Sequence, residues 1–137
     1  MKIYNKNENT EVQFEGFDIK RIHMDGTLVE NSMLTVDIEN KIEFLENESV
    51  DVYLDLKINS ETENFVLNLC MVGHFKIKEE YVDFLEPNLL AIMFPYLRAT
   101  VNYLTSIDGK RPIILPPINF NAYVAQKSGK FDVQQID

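Results

Sequence analysis

The chain has 137 residues, with 22 acidic and 13 basic side chains and a formal net charge of −9. That length fits one domain whose core needs no metal or disulfide, and 45% hydrophobic with 26% charged residues is globular composition. The acidic balance argues against nucleic acid, because phosphate binding rests on clustered Lys and Arg. Cys70 stands alone, which excludes an internal disulfide and a paired-cysteine metal site.

Residues 1–8 have no apolar run of the kind a signal peptide carries, so the expected location is the cytoplasm. Val12 and Phe14 share a parity that slips at Gly16 to Phe17 and Ile19, and again at Arg21 to Ile22 and Met24. Two slips in one strand predict two bulges. A looser link from Asp25 to Ser32 follows. Leu34, Val36, Ile38, Ile42 and Phe44 then alternate with polar residues, as do Val50, Val52, Leu54, Leu56 and Ile58 after a turn at Asn47-Glu48-Ser49. Each pattern predicts a strand with one dry face and one wet face. The fourth run, Phe65 to Ile77, carries Val66, Cys70 and Val72 on its second parity and is expected to be covered on both faces for part of its length. The expected sheet is four antiparallel strands in a meander.

The second half is helical. Pro87 suits a first helical turn, and the helix is expected to run to about Ser106 with a kink at Pro95. Between Asn88 and Ile107 the one charge is Arg98, but Pro95, Thr100, Asn102, Thr105 and Ser106 make membrane insertion costly. Apolar residues including Leu97, Val101, Tyr103 and Leu104 wrap most of this helix. One sheet covers only a stripe, so a second partner is needed, and another subunit is the simplest. Residues 111–118 are an extended apolar segment, Asn119 is placed to cap a short last helix with Phe120, Tyr123 and Val124 on one side, and the tail from Ser128 is polar and expected to fray. The reading is one α+β domain over 1–137, with a core of about 11–127 and a tail of 128–137.

Catalytic patterns are missing. His23 and His74 form no paired-ligand motif, Cys70 lies among apolar neighbours where a thiol is inert, and no Gly-rich phosphate loop or nucleophile elbow occurs. Asp37, Glu39, Asp51 and Asp55 fall on outward strand faces, where a solvated surface is the plain reading. The expectation is a non-enzyme without cofactor or metal. A small ligand-binding oligomer or a hotdog-type thioesterase is the alternative from another class, disfavoured because the long helix follows all the strands.

The run Pro87-Asn88-Leu89, Met93-Phe94-Pro95-Tyr96-Leu97-Arg98 and Leu104-Thr105, followed by Pro112-Ile113-Ile114-Leu115-Pro116-Pro117-Ile118-Asn119-Phe120-Asn121-Ala122, resembles the SecB family of protein-export chaperones. The resemblance implies a four-stranded antiparallel sheet followed by two helices, assembled as a homotetramer, a dimer of dimers. It implies binding of unfolded preproteins in apolar grooves without nucleotide hydrolysis, and handover to the SecA motor ATPase. A groove between the link with Leu28, Val29 and Met33 and the last helix with Phe120, Tyr123 and Val124 is expected to hold the client. Leu97, Val101, Tyr103 and Leu104 would form the subunit interface, and Asp51 and Asp55 the motor-docking face. SecB-like chains also serve as chaperones for the antitoxins of toxin–antitoxin pairs, and the sequence leaves that alternative open.

Overall fold

The computed structural model describes residues 2–5, 10–29, 32–60, 64–107, 111–126 and 129–134. Six strands form one antiparallel sheet: β1 (Lys2–Asn5), β2 (Thr10–Asp25), β3 (Met33–Phe44), β4 (Ser49–Ser60), β5 (Val66–Lys76) and β6 (Lys130–Gln134), in the order β1-β2-β5-β4-β3-β6. A single 3-10 turn, Glu79–Tyr81, leads into the long helix α1 (Val82–Ser106), and α2 (Phe120–Gln126) precedes β6.

The α+β architecture agrees with the sequence pattern, with two short strands added at the sheet edges. The strand parities match as well. The register of β2 against β5 shifts between Phe14 and Gly16 and between Ile19 and Arg21, where the apolar pattern slips. Three expectations are corrected. First, the strands are not a simple meander: β3, β4 and β5 are, but β2 joins on the far side of β5, so the link after Asp25 crosses the end of the sheet to reach β3. Second, the tail contributes β6, whose partly buried Phe131 and Val133 pack against the core while Met33–Asp37 of β3 pair with it. Third, α1 begins at Val82, so Pro87 lies inside the helix together with Pro95. The carbonyls these prolines leave without a helical donor belong to Asp83 and Ala91. Both residues are exposed, so water can serve them.

One face of the sheet carries α1. Val36, Ile38, Leu54, Leu56, Leu67, Leu69 and Met71 point toward it, and Val82, Leu85, Leu89, Leu90, Met93, Leu97 and Val101 meet them at helical spacing. The backbones approach closely at Gly73, where an added Cβ would stand 2.8 Å from the Met93 sulfur. The chain itself supplies part of the second cover for α1. Ile113 and Leu115 are fully buried in the same cluster, and the Phe120 ring meets Phe94 edge-on at 5.4 Å between centroids. Asn119 caps α2 as expected, its Oδ1 accepting the Ala122 N–H at 3.1 Å.

Candidate functional site

The helix face of β2 outlasts its cover. Ile19, Ile22 and Met24 share the face of their partners Met71, Leu69 and Leu67, yet Ile22 is 47% and Met24 42% exposed. At this corner the chain turns at Gly26, whose φ is 89° and whose N–H donates to the Asp25 carboxylate at 2.8 Å. A Cβ there would lie 1.5 Å from the Asn64 carbonyl oxygen, so glycine alone lets the link press against the start of β5. Further along the link, the Ser32 hydroxyl donates to the Val29 carbonyl.

These elements enclose an apolar recess of about 150 Å³ between Met24, Leu28 and Phe65 on one side and Leu104, Thr105 and Ile107 at the end of α1 on the other. Ile107 on its wall is 61% exposed and Met24 42%. Ordinary exposed hydrophobics are scattered singly; a cluster around a hollow is the usual mark of a surface that takes up another apolar group.

The expected client groove is redistributed. Leu28 lines the recess, while Val29 in the link and Met33 at the start of β3 are exposed. Phe120 and Tyr123 are buried against Phe94 and against each other, so they serve the core. Tyr123 and Val124 border a different cavity, about 640 Å³ and polar, beside Asp37, Glu39, Asn40 and Glu86. There the Tyr123 hydroxyl donates to Asn40 Oδ1 at 2.8 Å and the Asn40 amide donates to Glu86 Oε2 at 3.1 Å. Burial holds the Tyr123 phenol above its usual titration range. The link and α2 therefore do not line one continuous apolar wall.

The interface residues divide in the same way. Leu97 and Val101 are fully buried in the chain's own core and cannot touch a second chain, Leu104 is partly buried in the recess, and Tyr103 is 68% exposed. Met24, Phe65 and Ile107 line the recess without belonging to the site expected from the sequence. The available signal was that Met24 is the last apolar residue of β2, just ahead of a glycine.

The opposite face of the sheet carries charge. His74 on β5 lies between Asp51 on β4 and Asp18 on β2, with Nδ1 and Nε2 each 2.8 Å from a carboxylate oxygen. A neutral imidazole can donate from only one nitrogen, so this clamp favours the cation, and the bonds to Asp51 and then Asp18 raise the His74 pKa. Arg21 Nη2 stands 3.4 Å from Asp55. Asp51 and Asp55, expected as the motor-docking pair, are thus each engaged within the sheet. Burial, followed by the Asp55 carboxylate, pushes the neighbouring Cys70 thiol up, as befits an inert core cysteine.

The clamp sets a pH dependence. His74 has a folded pKa above its unfolded value of about 6.5, so its stabilisation is complete below that value and is lost as pH rises through the folded pKa. Urea midpoints measured upward from about pH 6 should therefore fall, and His74→Gln should flatten that part of the profile. An unchanged slope in the variant would assign the dependence to other groups.

Among the described residues, no helix is long and apolar enough to cross a membrane, and no group of three or more His, Cys, Asp or Glu is placed to hold a metal.

The family model of preprotein translocase subunit SecB matches residues 9–130. An uncharacterized protein of Methanocaldococcus jannaschii is 34% identical over 106 residues, covering 70% of this chain and 68% of that one. The protein-export protein SecB of Nitrosomonas eutropha is 35% identical over 77 residues, covering 53% of this chain and 48% of its own, so the chain spans about half the length of that relative. Among solved structures, a SecB-like chaperone of Mycobacterium tuberculosis, determined in complex with a peptide from the HigA1 antitoxin, superimposes with a TM-score of 0.66 at 12% identity. That match covers 78% of this chain and 90% of the other, and at such identity it is a likeness of fold.

Proposed function

The chain belongs to the SecB family, and on that premise we propose that it is an ATP-independent holdase of the cytoplasm that keeps unfolded polypeptides export-competent. The observation that carries this reading is the uncovered apolar corner, where Met24, Leu28 and Ile107 line the recess and Ile22, on the same face of β2, is exposed. An unfolded client exposes side chains that this corner can cover, at about 25 cal/mol per Å² before ordering costs are subtracted. Such contacts read apolar area and no particular sequence, which suits a binder of many clients.

The proposal includes a homotetramer. Tyr103 lies exposed on α1, and among the described residues the edge of β2 beyond Gln13 pairs only with β5, so both a helix face and a strand edge stand ready for a second copy. Delivery to SecA is the further step of the same reading. It would use the charged outer face around Asp51 and Asp55, where the ion pairs to His74 and Arg21 must be shared with the partner or exchanged. A chaperone dedicated to one antitoxin is the second reading, favoured by the fold shared with the antitoxin-binding protein of M. tuberculosis. A narrow client range would select it.

The experiment is dilution of a chemically unfolded, slow-folding protein into buffer with and without this chain, in the absence of ATP, with the mass of any complex measured in parallel. Suppressed aggregation at about one tetramer per client is the expected result. Unaltered aggregation beside a folded chain would overturn the general holdase.

A further inference from the structure

The two ion pairs on the outer face of the sheet differ in kind. Arg21 is a permanent cation, 63% exposed and 3.4 Å from Asp55, so a partner can displace it by side-chain rotation alone. His74 holds Asp51 and Asp18 at 2.8 Å each, and it can donate to both only while it is charged. The register leaves room for this arrangement. Gly16 stands opposite His74 on β2, and an added Cβ there would meet nothing within 4 Å. Asp18, two residues further along β2, reaches Nε2 on the diagonal beside that gap.

The two carboxylates are not equivalent. The Asp51 side chain is 17% exposed and that of Asp18 64%. When His74 loses a proton, one ring nitrogen keeps its N–H and the other turns a lone pair toward a carboxylate. Losing a donor costs the more buried Asp51 more, so the N–H stays at Nδ1 and Asp18 is released to water. The other charges nearby are mostly engaged or negative. Lys76, on the same strand as His74, donates to the Asn47 carbonyl, Lys41 of β3 lies over the Tyr53 ring of β4, and Arg21 is held by Asp55. Glu43 of β3 pairs in register with Asp51, and Glu15 and Lys20 occupy the two bulges of β2. Lys20 is exposed, so any pair between it and Asp18 is worth little. α1 packs on the opposite face of the sheet.

We propose that motor docking on this face is gated by the His74 proton: an incoming Lys or Arg takes Asp18 from His74, and Nε2 gives its proton to solvent. The proposal rests on the reading that this face docks SecA, and it supplies the regulation of that site. In acid the clamp is closed and the partner must break it. At higher pH Nε2 is already bare and Asp18 is available. Linkage then requires that docking release at most about one proton per chain, and that affinity rise with pH through the folded pKa of His74. That pKa lies above the ordinary histidine value because the two carboxylates favour the cation. The sign is opposite to that of stability: the clamp gives up its contribution to folding in the same pH range where docking gains.

The test is a calorimetric titration of SecA into the full chain at about pH 6 and about pH 8.5, in buffers of unlike ionisation enthalpy that count the protons released. The parent should bind about fivefold to tenfold more tightly at the higher pH. His74→Gln should bind at both pH values as the parent does at the higher one, and release fewer protons. Asp18→Asn should bind at both as weakly as the parent does at the lower one; because Asp18 is exposed, this variant carries the test even if His74→Gln does not fold. Both variants should suppress client aggregation as the parent does, since the recess at Met24 and Ile107 lies on the other face. SecA binding in which His74→Gln or Asp18→Asn keeps the parent's pH profile would overturn the gate and leave docking on this face standing. Absence of SecA binding at every pH would overturn the docking reading, and the gate with it.

Discussion

Replacing Met24 and Ile107 together by aspartate should cut the capacity to hold an unfolded client about tenfold, a loss near 1.4 kcal/mol, while the urea midpoint barely moves. Both side chains are largely exposed in the free chain, so the new carboxylates stay hydrated and little folding stability is at stake. Once a client covers the recess, those charges must be desolvated without a partner, and that cost falls on binding alone. Phe84→Asp is the matched control. Phe84 is 59% exposed on the same helix, but its position and that of Ile107 are roughly 35 Å apart at helical rise. Equal aggregation suppression by the double variant and the parent would move the client site away from this corner. A falling urea midpoint would instead show that Met24 and Ile107 support the fold.

The contrast between the two prolines and the two bulges explains what the sequence could reveal. Parity is local, so the slips at Gly16 and Arg21 translate directly into register shifts, and the Asn119 cap needs only the residue three places on. Strand order is not local. The pairing of β2 with β5 joins Phe14 to Phe75, and nothing near either residue distinguishes that partner from β3. Pro87 misleads because a proline is tolerated inside a helix where the freed carbonyl is wet, while Val82, Leu85 and Leu89 already carry the helical spacing. The tail misleads because β6 needs only Phe131 and Val133 to hold it against the core, too few for a pattern.

Site residues were harder still, since an apolar side chain announces that it will be covered but not by what. Leu97 and Tyr103 look alike in an apolar helix, yet the first is sealed inside the chain and the second points to solvent. Asp51 and Asp55 look like free acidic surface, yet His74 and Arg21 engage them from neighbouring strands. The corner at Met24 depends on where α1 ends over the sheet, which is a property of packing.

Thr105→Val should cost about 2 kcal/mol, although it changes neither volume nor shape appreciably. Thr105 is buried at the end of α1; its hydroxyl donates back to the Val101 carbonyl at 2.8 Å and accepts the Ile113 N–H, also at 2.8 Å. That acceptor ties the extended segment after the helix to the core, where Ile113 and Leu115 are fully buried. Valine fills the same space but leaves the Ile113 N–H without its partner, and an unsatisfied buried donor costs about 1–3 kcal/mol. Thr105→Ser keeps the hydroxyl and loses one methyl, for a cost of about 1 kcal/mol. Urea unfolding should therefore rank threonine above serine and serine above valine. The reverse order of the two variants would mean that the methyl matters more than the hydrogen bond, and that the segment is held by Ile113 and Leu115 alone. Because Thr105 also lines the recess with Leu104 and Ile107, the valine variant should hold less client at temperatures where the parent is unaffected.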